Sequence, residues 1–215
     1  MHFLVLGQSN VANHGEGRET SEFGRVFHNG SYKRLADPVA GGTGEGGSVW
    51  TRFAGRAENA GICDDLTISL CAAGGTSMAD WSVGGKCLRE LEVSLPTTVT
   101  SEVPVSHVIF HQGERDNLLA TEKSDYIEQF AGLYESVRRT LPESTWILCR
   151  ATFRMGVTSD VVRSAQEEII VNYPNIVAGP DTDQFGEEYR LDGTHFNNKG
   201  LDAFAAELVK TFAAR

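Results

Sequence analysis

Short apolar runs separated by amphipathic stretches constrain the architecture of this chain more tightly than any other feature. Residues 3–6, 66–71, 105–110, 146–149 and 176–178 are each about as long as a strand buried on both faces. Helical patterns lie between them. Ser48 can cap a helix through Ala60, with Val49, Phe53 and Ala57 on one face and Gly61 as its stop. Tyr126, Phe130, Leu133, Tyr134 and Val137 recur at helical spacing before Pro142, and Val161, Val162, Ala165, Ile169 and Ile170 before Pro174. Leu201, Phe204, Ala205, Leu208 and Phe212 make a last such face. Strands alternating with helices predict a parallel sheet covered by helices on both sides. Two polar stretches interrupt the rhythm, residues 15–47 and 182–193. The first contains a hairpin signal over residues 25–33, turning on Asn29 and Gly30. No repeat and no shift of composition marks a boundary, so residues 1–215 read as a single domain.

Composition excludes several classes. A hydrophobic fraction of 40% over 215 residues suits a globular domain with one sizeable core. A net charge of −10 argues against a nucleic-acid or anionic-membrane partner, because phosphate binding needs a basic face. No apolar run reaches the ~18–20 residues of a membrane span. The opening apolar run is too short for a signal peptide, which makes the cytoplasm the default expectation. A secreted or phage-associated protein is the alternative where a leader precedes Met1. Cys63, Cys71, Cys87 and Cys149 lack C-x-x-C spacing and partner histidines. They read as reduced core residues, neither a zinc site nor a disulfide framework, and no metal or organic cofactor is expected.

Polar clusters follow the apolar runs at what would be one edge of the sheet, where open α/β folds bind ligands. The first run ends in Gly7-Gln8-Ser9-Asn10, whose glycine permits a turn that exposes the Ser9 hydroxyl; alternatively Ser9 or Asn10 caps a short helix. Near the other end of the chain stands Asp192-Gly193-Thr194-His195. A serine hydroxyl needs a base, histidine is the usual one near neutrality, and a carboxylate must orient the imidazole. Asp192 and His195 can meet across a loop turn; the plainer reading is a capping Asp beside a surface His. His111-Gln112-Gly113-Glu114-Arg115 offers an amide donor at Gln112 and an acidic loop anchor at Glu114, or else a solvated charged loop. Gly74-Gly75-Thr76 can present a backbone N–H to the same point, or be an ordinary turn. Together the clusters supply a nucleophile, a base, an orienting acid and oxyanion donors for acyl transfer.

These blocks resemble the SGNH hydrolase superfamily, and within it the sialate O-acetylesterase-like and carbohydrate esterase family 6 branch. That branch reads GQSN at the nucleophile, GGT or GGS followed by a tryptophan, W-x-Q-G-E, and D-G-x-H. Here the matches are residues 7–10, Gly74-Gly75-Thr76 with Trp81, residues 110–114, and residues 192–195. The resemblance implies a three-layer α/β/α sandwich with about five parallel strands. It makes Ser9 the nucleophile, His195 the base and Asp192 its partner. Ser9 N–H, Gly75 N–H and the Gln112 side chain become the oxyanion hole, with Gln8, Gly74 and Glu114 in support. Val11 departs from the branch's usual Met, Phe110 from its Trp, and Arg115 from a small residue.

The expected activity is hydrolysis of small acyl esters, acetyl above all, on an O-acetylated carbohydrate. The alternatives are a carbohydrate O-acyltransferase with the same triad and a non-catalytic carbohydrate-binding domain. Trp81 and Tyr189, on loops near the motifs, are candidate sugar platforms, whereas Trp50 and Trp146 read as core. His14 and His111 lie near site blocks, and Arg18 is a weaker candidate for a substrate carboxylate.

Overall fold

The computed structural model describes residues 1–213. Its strands are β1 (His2–Gly7), β2 (Thr20–His28), β3 (Ser31–Ala36), β4 (Thr67–Ala72), β5 (His107–His111), β6 (Thr145–Arg150) and β7 (Ile176–Asp181). Its helices are α1 (Val49–Asn59), α2 (Met78–Trp81), α3 (Lys86–Thr98), α4 (Glu114–Leu119), α5 (Lys123–Arg138), α6 (Asp160–Asn172) and α7 (Asn198–Ala213).

The strands form one sheet in the order β3-β2-β4-β1-β5-β6-β7. The five apolar runs all lie in its parallel part, each helix-separated as expected. The sheet nevertheless has seven strands, because the hairpin on Asn29 and Gly30 joins it. β2 extends the sheet parallel to β4 through Arg25 and Val26, and β3 closes the edge antiparallel. Both turn residues have positive φ, 50° and 74°, as a two-residue hairpin turn requires.

Alternate residues of β1 divide the core. Phe3 and Val5 pack with α1 and α7 on one face; Leu4 and Leu6 pack with α3, α5 and α6 on the other. A strand buried on both faces has no polar alternation, which is why the run is continuously apolar. Ser48 caps α1, accepting from Trp50 N–H at 3.2 Å. α3 is a helix that the apolar periodicity did not signal. Pro96 lies in its last turn, yet Leu88, Leu91 and Leu95 stay buried.

β1 lies between β4 and β5, and the chain turns out from its carboxyl end into the crevice that such a strand order opens.

Two histidines are buried in this frame. His2 is held between Val103 O at 2.7 Å and Ser69 Oγ at 2.9 Å, and His111 meets Thr182 Oγ1 at 2.9 Å. Burial lowers both pKa values, against the raising influence of the Val103 carbonyl on His2 and of Glu114 on His111. The folded protein therefore binds fewer protons than the unfolded chain below about pH 6.5, the unfolded histidine value. Stability falls as pH falls through that value, by up to about 1.4 kcal/mol per pH unit for each group. Urea midpoints measured from pH 8 to pH 5 should decline; a flat profile would show that neither histidine stays neutral in the fold.

Candidate active site

The carboxyl end of β1 is crowded by design of its sequence. A Cβ on Gly7 would lie 2.1 Å from the His111 carbonyl oxygen, and the residue has φ +138°. Only glycine lets β1 and β5 run this close while the chain turns into the 3-10 turn Ser9–Val11. Gln8 N–H donates to the same His111 oxygen at 3.1 Å.

The side chains on either side of Ser9 connect the other motifs. Gln8 Oε1 accepts from Gln112 Nε2 at 2.8 Å and from Arg115 N–H at 3.2 Å. Asn10 Nδ2 donates to Glu114 Oε1 at 2.7 Å and to Thr194 O at 3.2 Å, and Asn10 Oδ1 accepts from Phe196 N–H at 3.3 Å. Asn10 thus holds the backbone on both sides of His195, reaching Phe196 across 186 positions of sequence. Arg190 adds a second hold: its guanidinium donates to Thr194 O at 2.9 Å and to Thr182 O at 2.8 Å. It is sandwiched between Phe153 and Phe196. Burial brings its pKa down to about 10, with Glu114, Asp183 and Asp192 opposing.

Asp192 and His195 do meet. His195 Nδ1 lies 2.7 Å from Asp192 Oδ2, and Asp192 Oδ1 accepts the His195 and Thr194 N–H groups at 2.8 and 3.0 Å. Burial pushes the Asp192 carboxyl up, but these hydrogen bonds and the His195 ring outweigh it and leave the carboxyl below its ordinary value. The carboxylate is therefore charged wherever histidine can act as a base.

A cavity of about 410 Å³ opens over this point. Ser9, Gly74, Gly75, Asp192 and His195 all line it, as do Gln8 and Glu114. The motifs read from the sequence converge here, with one exception. Gln112, expected as an oxyanion donor, is fully buried and does not line the cavity. Its amide donates to Gln8 Oε1, Thr76 O and Asp116 Oδ2, at 2.8, 2.6 and 2.8 Å. Two hydrogens shared among three internal acceptors leave none for a substrate oxygen. Gln112 is corrected to a strut behind the site. Among the described residues, the Ser9 and Gly75 N–H groups have no protein acceptor, whereas Gly74 N–H is taken by Thr43 Oγ1 at 2.7 Å.

Two further expectations change. Trp81 is fully buried against Phe110 and cannot be a sugar platform. Tyr189 lies off the cavity, one face covered by Lys199. His111 is sealed inside, and Arg18 pairs with Glu45 away from the cavity. His14 does line the cavity, together with Arg115, Leu118, Arg154 and Met155. The roles of Asn10 and Arg190 escaped the sequence reading. Asn10 was visible only as a possible cap, and nothing in the spacing marks Arg190. Among the described residues no group of three His, Cys, Asp or Glu side chains is arranged to hold a metal ion.

Over residues 1–214 the sequence matches a protein family described as carbohydrate esterase, sialic acid-specific acetylesterase. No curated protein matches it. Among solved structures, a protein from Arabidopsis thaliana shares the fold at a TM-score of 0.79 and 16% identity, over 100% of this chain and 98% of that one. NanS does so at a TM-score of 0.74 and 14% identity, over 99% and 96%. A carbohydrate acetylesterase from Xanthomonas citri matches at a TM-score of 0.61 and 17% identity, over 100% of this chain and 55% of that one. At such identities the likeness is one of fold.

Proposed function

The chain belongs to the sialic acid-specific acetylesterase family of carbohydrate esterases, and from that premise we propose that it removes a small acyl group, acetyl above all, from a sugar that also bears a carboxylate. As a member of that family it is a carboxylic ester hydrolase. The observation that carries the mechanism is the lining of one cavity by Ser9 and by the His195–Asp192 pair.

With Nδ1–H donated to Asp192, Nε2 is the basic nitrogen of His195. Ser9 Oγ attacks the ester carbonyl and its proton passes to Nε2. The Ser9 and Gly75 N–H groups receive the developing oxyanion. Collapse of the tetrahedral intermediate breaks the bond to the sugar oxygen, which takes the proton from His195 and leaves as a hydroxyl. Water, deprotonated by His195, then attacks the acetyl-Ser9 ester. Acetate departs, and the proton returns to Ser9. An acceptor sugar in place of that water would make the same site a transferase.

Two arginines support a carboxylate on the substrate. Arg115 and Arg154 line the cavity, and among the described residues neither guanidinium has a hydrogen bond, ion pair or aromatic partner. In a chain of net charge −10, seven other arginines are ion-paired. Both are set by their backbones. Arg115 N–H donates to Gln8 Oε1 at 3.2 Å. Arg154 follows Thr152 and Phe153, whose N–H groups donate to Asp183 Oδ1 at 2.6 and 2.7 Å. Arg115→Ala and Arg154→Ala should each lower kcat/KM for an O-acetylated, carboxylate-bearing sugar by about tenfold, the value of a charged hydrogen bond. Turnover of the methyl ester of the same sugar should hold steady. Equal losses on the charged and the neutral sugar would remove the carboxylate from the proposal.

A further inference from the structure

His14 is a second imidazole at the cavity, and the mechanism above does not use it. Its ring stacks on that of His195, with centroids 5.3 Å apart and planes 20° from parallel. On its other side, His14 Nε2 lies 3.0 Å from Thr43 Oγ1, the same oxygen that accepts the Gly74 N–H at 2.7 Å. We infer that His14 is a positioning residue, bracing the His195 imidazole with its face and the turn at Gly74 and Gly75 through Thr43, so that base and oxyanion donor are held in register.

The surroundings of His14 are built for this seat. Asn13 is fully buried; its side chain donates to Val39 O and Gly42 O, both at 3.0 Å, and accepts Val39 N–H at 2.7 Å. Asn13 N–H also donates to Thr43 O at 2.9 Å, and Thr43 N–H to Ala72 O at 3.0 Å. The loop that carries Thr43 is thereby fixed both to the backbone before His14 and to the end of β4. The turn abuts the ring so closely that a Cβ on Gly74 would come within 2.7 Å of His14 Nε2.

His195 gains two things from this arrangement. Asp192 holds only its Nδ1 edge, and the stack limits rotation of the ring about that bond. The second concerns charge. Burial lowers the pKa of His14, His195 lowers it further, and Asp192 opposes them; these are the titratable groups that act on it. A neutral ring face then meets the imidazolium that forms on His195 during turnover, an arrangement that favours the cation. Displacement of a catalytic group by an ångström can cost about 10²-fold in rate.

The inference rests on His195 as base and Gly75 as oxyanion donor, and its test separates the two. Ser9 labelling by a fluorophosphonate and turnover of p-nitrophenyl acetate are measured in wild type, His14→Ala, His14→Phe and Thr43→Val, with melting temperatures for each. Wild type without labelling at Ser9 would overturn the triad itself. With Ser9 labelled, His14→Ala should slow both labelling and kcat by about 10–100-fold, while KM changes less than about twofold. His14→Phe, which keeps a stacking face, should recover most of the loss. Thr43→Val, which keeps the stack and frees the Gly74 N–H, should lose less than His14→Ala. Unchanged kcat and labelling in His14→Ala, a loss confined to KM, or a Phe variant as slow as the Ala variant would each overturn the inference.

Discussion

Ser9→Ala should lower hydrolysis of p-nitrophenyl acetate by about 10⁴–10⁶-fold, and His195→Ala by a comparable factor. The two do not add, because nucleophile and base act as one unit; the double variant should be little slower than either alone. The fold should tolerate the serine change well. The Ser9 side chain makes no hydrogen bond among the described residues, and alanine suits its short turn. Melting temperature should hold within about 2 °C, since removing one atom that makes no hydrogen bond costs little. A fluorophosphonate should label Ser9 and no other serine, as mapped by mass spectrometry. Turnover retained in Ser9→Ala, or a label on a different residue, would move the nucleophile elsewhere.

Asn10→Ala should be costly in a different way. Asn10 is buried and its amide serves three partners: the Glu114 carboxylate, the Thr194 carbonyl and the Phe196 N–H. Removing it leaves a buried carboxylate short of its donor. Glu114 Oε2 already has no partner and His111 Nδ1 lies 3.8 Å from Oε1. Loss of a donor to a buried charge costs about 2–4 kcal/mol. The loop bearing His195 also loses its tether to the nucleophile's own turn. We expect kcat to drop by about 10²-fold, and the urea midpoint to fall with an unchanged m-value. Full activity with lowered stability would show that Arg190 alone suffices to hold the loop. Unchanged stability would contradict the hydrogen-bond pattern at Asn10.

The motif blocks and the strand–helix alternation were legible because each follows from a local rule. A doubly buried strand must be largely apolar, and β1 is so from Phe3 to Leu6. A two-residue hairpin turn needs positive φ, and Asn29 and Gly30 accept it. What stayed hidden depends on neighbours distant in sequence. The hairpin could be read, but its attachment to β4 could not, since Arg25 and Val26 carry no mark of a partner at Thr67 and Ile68. Gln112 shows why a side chain's capacity is not its role. An amide can stabilise an oxyanion, but here Gln8, Thr76 and Asp116 take its hydrogens. Trp81 likewise sits in a loop-like stretch of sequence, yet Ser77 and Asp80 fold it into α2 and turn its ring inward. Nothing in the sequence marks Arg190, and only the fold buries it beside Phe153 and Phe196.

The position of β1 in the middle of the sheet carries a temporal consequence. The strand that presents Ser9 leaves the ribosome well before Asp192 and His195, which follow β7 and precede α7. A nascent chain therefore holds its hydroxyl without a proton acceptor until Asp192 and His195 have emerged. With the roles proposed above, the nucleophile stays chemically silent until then, so copies halted before that loop cannot attack esters.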